Sequence, residues 1–122
     1  MKTTSFEMVF IIRDFMAKHE FGIMPTAPQK GQRYDDYLPQ KYNCITVDDK
    51  HIENLDLEHI DFFWHTPDVG GKGLAYCGVT LIPPESIPQF IAVIDAIPAL
   101  SELKSLLQKA LAEGRWVIHF GL

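Results

Sequence analysis

The groups able to do chemistry in this chain are five histidines, two cysteines and a dense run of carboxylates, and their spacing limits what they can do together. His51 and His59 flank the carboxylate-rich segment, while His65 and His119 fall in strand-like stretches. No HxxxH, HExxH or CxxC spacing occurs, so neither a metal site nor a cofactor is expected. One catalytic arrangement is a cysteine–histidine pair, with Cys77 and His65 as neighbours across a hairpin and Asp61 on the face of His65. Cys77 belongs to an inward-facing apolar set, however, where a thiol is inert. Another arrangement is general acid–base chemistry by His65, Tyr76, Arg115 and His119 on one open sheet face, which would make a small hydrolase or isomerase. Neither a glycine-rich phosphate loop nor a nucleophile elbow accompanies it.

Charge is the stronger signal. Between Asp35 and Asp68 stand nine carboxylates and only two cations, Lys41 and Lys50, a net of −7 in a chain whose total is −5. This balance argues against a nucleic-acid binder, which needs clustered Lys and Arg. It favours encounter with a basic protein. The expected contact residues are Tyr34, Asp35, Asp36, Tyr37, Asp48, Asp49, Glu53, Asp56, Glu58 and Asp61. Tyr34 and Tyr37 flank two carboxylates and offer contact area at low entropic cost. A solvated acidic edge that only confers solubility is the plainer reading of the same residues.

The elements that must position these groups follow from periodicity. Met8, Ile11, Ile12, Phe15 and His19 share one face of a helix over 5–20, and Phe6, Val9, Phe10 and Met16 widen its stripe. Residues 21–40 carry three prolines, two glycines and no periodicity, which predicts a long loop of the kind that is often functional. YNCITV (42–47) reads as a strand closed by Asp48-Asp49, and 49–59 as a helical turn or an irregular connection. IDFFWHT (60–66) and the stretch 74–82 read as a hairpin about the PDVGGKG turn. Ser86 and Gln89 form a capping-box pattern, with Pro88 in the first turn of the helix that follows. Pro98 opens another helix with Leu100, Leu103, Leu107, Ala110 and Leu111 inward, Gly114 ends it, and RWVIHF (115–120) is the last strand.

This order predicts a single α+β domain over 1–122. It would have an antiparallel sheet of about four strands and three helices packed mainly on one face. Ala75, Cys77, Val79, Leu81, Trp116, Ile118 and Phe120 would face the helices. Tyr76, Thr80, Arg115, Val117 and His119 would line the open face. The run MVFII is too short for a signal peptide, and no segment approaches the roughly 20 apolar residues of a membrane span. Two cysteines in apolar strand patterns suit a reducing cytoplasm.

GLAYCGVTLIPPES (73–86), YNCITVDD (42–49) and VIHFGL (117–122) resemble the small single-domain immunity proteins of bacterial toxin–immunity systems. That resemblance implies an acidic cytoplasmic protein that neutralises a cognate toxin domain, often a basic nuclease, by binding it. It carries no residue-by-residue assignment. The leading expectation is thus a non-enzymatic protein-binding module, with the small enzyme as the alternative. Homodimerisation, through the open face or the N-terminal helix, is a third reading.

Overall fold

In the computed structural model, which describes residues 18–121, six strands form one antiparallel sheet in the order β2-β1-β6-β5-β3-β4. The strands are β1 (Lys18–Ile23), β2 (Ile45–Asp48), β3 (Asp61–Trp64), β4 (Gly70–Lys72), β5 (Val79–Ile82) and β6 (Val117–Gly121). Two helices follow β5, α1 (Ile87–Ile94) and α2 (Ser101–Ala112). The α+β class and the antiparallel sheet agree with the sequence reading. The sheet has six strands rather than four, and the described residues contain two helices rather than three. Of the helix expected over 5–20, residues 5–17 lie outside the described residues, while 18–20 open β1.

Local chemistry explains most of these elements. Pro88 sits in the first turn of α1, where its missing N–H costs nothing. Ser86 does not cap the helix as the capping-box pattern suggested; its hydroxyl donates to the Asp61 carbonyl (2.6 Å), tying the helix start to β3. Gly114, at φ +65°, ends α2, and the Arg115 amide returns to the Ala110 carbonyl (2.9 Å). Leu103, Leu107 and Ala110 of α2 are buried, as is Leu100 just before it, but Leu111 faces solvent.

The helices cover one sheet face, together with the 49–60 crossover between β2 and β3. Phe21, Ile82 and Val117 meet Phe90, Ile94, Leu103 and Leu107 there, and the crossover adds Ile52, Leu57 and Ile60. Each such side chain, fully buried, contributes about 1.5–3 kcal/mol. The opposite face is not open. The long 24–44 segment lies across it, so that Met24 and Tyr42 pack on Val79, Leu81, Ile118 and Phe120, with Tyr34, Cys44, Phe63 and Trp116 at the margin.

The two faces are therefore exchanged relative to the sequence reading. Val79, Leu81, Ile118 and Phe120 face the long segment, while Thr80, Val117 and His119 lie on the helix side. Period-two alternation says which residues travel together, not which set the helices cover, and here both sets are mostly apolar. The strand expected over 74–82 also shortens. Residues 73–78 form an irregular segment, with Cys77 at φ +56° and exposed, before β5 begins at Val79.

Candidate functional site

Strand register brings several polar groups to one end of the sheet. There β1 begins and β6 ends, with Lys18 opposite Asp48, His19 opposite Gly121, and Glu20 opposite Phe120. Successive residues of a strand point to opposite faces, so His19 looks toward the helix side and Glu20 toward the long segment. Both are buried, at 1% and 7% exposure.

On the helix side His19 is the centre of a chain of hydrogen bonds. Its Nε2 lies 2.8 Å from Asp49 Oδ1, and its Nδ1 lies 2.7 Å from Nε2 of His119, which is 0% exposed. His119 Nδ1 is 3.0 Å from the Thr80 hydroxyl, which accepts from the Ala75 amide at 2.8 Å. The Tyr76 hydroxyl donates to the same Asp49 oxygen (2.8 Å), and its ring stands edge-on to His19 at 5.0 Å. An ionised Asp49 only accepts, so His19 Nε2 must donate to it, and with both rings neutral the remaining directions follow. His19 carries its hydrogen on Nε2, so its Nδ1 accepts from His119 Nε2–H, and His119 Nδ1 accepts from Thr80. All five side chains are then satisfied.

Electrostatics favours the ionised Asp49 and the neutral His119 of that assignment. Burial raises the Asp49 carboxyl, but hydrogen bonds from His19 and Tyr76 outweigh it and hold the group below its ordinary value. Burial above all pushes His119 well below the usual histidine range, so it stays neutral. Tyr76 is raised by burial, its bond to Asp49, and the charges of Asp49 and Glu53. The segment carrying Tyr76 crosses tightly over β6: a side chain on Gly121 would place its Cβ 2.3 Å from the Ala75 carbonyl oxygen. Only glycine permits that approach.

A second tyrosine flanks the same sheet end from the other face. The Tyr37 hydroxyl donates to the Glu20 carboxylate, and its ring stands edge-on to Phe120 at 5.4 Å. That bond, burial and the charge of Glu20 push the phenol up to about 12. Cys44 sits beside them, its thiol raised to about 12 by burial and then by Glu20. Both tyrosines stay about half exposed, Tyr37 at 48% and Tyr76 at 53%. Each thus presents a ring to solvent while its hydroxyl is fixed on a carboxylate, Tyr37 on Glu20 and Tyr76 on Asp49.

The remaining sequence candidates separate into three groups. Asp35 receives the Arg33 guanidinium (2.8 Å) and lies 2.7 Å from His65 Nδ1, and the Arg33 bond chiefly lowers its carboxyl. His65 itself adopts φ +66° and packs over Gly78, away from His119. Asp61 pairs with Lys72 across β3 and β4, and Asp56 lies 3.6 Å from His59. Asp36, Asp48, Glu53 and Glu58 are exposed, whereas Tyr34 is half-buried against the sheet. Arg115 pairs with Glu113 at the end of α2.

The open-face site His65, Tyr76, Arg115 and His119 is therefore not one site. Tyr76 and His119 meet through His19, but His119 is sealed and the other two lie elsewhere. Sequence reasoning gave His19 and Glu20 no role, because His19 matched the helical spacing of the preceding residues and Glu20 read as a surface charge, while Thr80 was placed beside His119 on the open face without a partner assigned to it. Cys77 is exposed rather than in the apolar inward set. Among the described residues, no group of three or more His, Cys, Asp or Glu side chains is arranged to hold a metal. No helix among them is long and apolar enough to cross a membrane. No protein-family model, curated protein or solved structure matches this chain.

Proposed function

We propose that this chain is a non-enzymatic binding module for a basic protein, most concretely a cytoplasmic immunity protein that occludes a cognate nuclease-type toxin domain. One observation carries the reading: two half-exposed tyrosines, held by the carboxylates of buried Glu20 and partly exposed Asp49, bracket one sheet end where the acidic loop 34–37 and the acidic crossover 48–53 converge. Rigid aromatic rings beside exposed carboxylates suit a surface rich in Lys and Arg. The rings supply desolvated area and the charges steer encounter. Asp36, Asp48 and Glu53 are the exposed carboxylates for that task, because Asp35 and Asp49 already hold internal partners.

The test starts with the immobilised chain capturing its partner from lysate of the native host, identified by mass spectrometry. The triple reversal Asp36→Lys, Asp48→Lys, Glu53→Lys then weakens binding of that partner at least tenfold, mainly through slower association. Unchanged affinity, or capture of only acidic proteins, overturns the reading.

A further inference from the structure

The contact between His19 and His119 joins two buried titratable side chains of the sheet. Its two nitrogens stand 2.7 Å apart, and both rings are sealed from solvent. A gap of that length holds one hydrogen. If both rings were imidazolium, each would present an N–H there, and two donors cannot face each other at hydrogen-bond distance. The pair accepts a single extra proton with both rings in place: the bridge keeps one hydrogen, the added one sits on His119 Nδ1, and the Thr80 hydroxyl turns to accept it while still accepting from the Ala75 amide, with Asp49 balancing the charge. A second proton forces the rings apart. Coupled groups of this kind take up protons as a unit in separate steps.

We propose that the pair is an acid-operated latch on the 73–78 segment, closed while the two rings hold at most one added proton and opened by the second. The segment is fastened to the pair at two points. Tyr76 shares Asp49 with His19, and the Ala75 amide bonds the Thr80 hydroxyl that bonds His119. Separating the rings loosens both.

The groups facing the pair support this reading. The turn after β2 contributes Asp49, with Glu53 one turn further on, and the 73–78 segment contributes Tyr76. From β5 comes only the uncharged Thr80. From β1 the Phe21 ring lies 4.8 Å from His119 and meets Phe90 of α1 on its other side. Thus, among the described residues, Asp49 is the one carboxylate bonded to the pair, enough to balance a single added proton. Desolvation, which already keeps His119 neutral, sets the second uptake on the acid side. The latch does not depend on the identity of any partner. It does predict that the Tyr76 side of the proposed contact surface is lost in acid.

Two measurements on the whole chain test the proposal. Imidazole nitrogen NMR at pH 7.5 should show both His19 and His119 as the Nε2–H tautomer, and acidification should add one proton to the pair before any change at Ala75. An Nδ1–H tautomer on His119 at pH 7.5, or two independent titrations at ordinary histidine values, overturns it. Amide exchange followed from pH 7 to pH 4 should show Ala75 and Gly121 exchanging at least tenfold faster than intrinsic-rate correction predicts, while amides of α2 stay protected. Loss of protection at Ala75 and in α2 together, as one global event, overturns it. His119→Gln keeps a donor toward His19 but cannot take the second proton, so it should abolish the local acid opening. Persistence of that opening in a folded variant counts against the latch.

Discussion

Acidification should weaken the folded state with a slope that belongs chiefly to one residue. His119 is fully buried and held neutral, whereas in the unfolded chain it titrates near 6.5. A folded-state value below the unfolded one means that the unfolded chain binds the extra proton. Stability from this group is therefore complete above about pH 6.5 and falls as pH drops below it. For a ring that stays neutral in the fold, the loss reaches about 1.4 kcal/mol by pH 5.5 and about 2 kcal/mol by pH 5.0. Asp49 acts in the same direction in a lower window. Its carboxyl is depressed in the fold, so its contribution is present above about 3.9 and disappears only as pH falls below that. Urea unfolding at half-unit steps from pH 7.5 to 4.5, on the chain and on His119→Gln, measures the difference directly. The variant starts about 1–3 kcal/mol less stable, because its amide does not reproduce both ring contacts. Its curve should nonetheless be flatter by about 1 kcal/mol per pH unit between pH 6 and 5. Parallel curves would refute the assignment of a neutral, sealed His119.

Three further outcomes follow from the same geometry. Tyr37→Phe removes the donor that holds the buried Glu20 carboxylate and should cost about 1–3 kcal/mol in urea unfolding, more than an ordinary surface change. Gly121→Ala drives a Cβ into the Ala75 carbonyl and should destabilise by about 1–3 kcal/mol, with the largest chemical-shift changes at residues 75–77. Thiol labelling at pH 8 should modify exposed Cys77 within minutes and leave Cys44 unreacted until denaturant is added, since burial and Glu20 hold the Cys44 thiol up to about 12.

The helical half of the fold was legible because its punctuation is chemical: Pro88, Pro98 and Gly114 mark starts and stops that the structure keeps. So was the grouping of Thr80, Val117 and His119 on one face, a direct consequence of strand alternation. Two other features were hidden for different physical reasons. β1 reads as the tail of a helix, since His19 falls at a helical interval from Met8, and its burial depends on partners 30 and 100 residues away. The three residues Gly70–Lys72 read as turn, because glycine has no strand preference and β4 exists only by pairing with β3. The covering of the sheet by residues 24–44 was hidden too. A proline-rich segment without periodicity gives no sign that Met24, Tyr34 and Tyr42 converge on one apolar surface. Of the candidate site, the acidic loop and crossover were visible as charge. Their convergence on one sheet end rests on the β1–β2 and β1–β6 registers.

The proposed contact surface is tested most directly by a hydrogen-exchange footprint of the captured partner complex against the free chain at neutral pH. Protection concentrated in residues 33–38, 48–53 and 73–78 is the result expected for a partner seated on the two-tyrosine sheet end. Protection confined to α2 or to the β3–β4 edge, with those three segments unchanged, would contradict it.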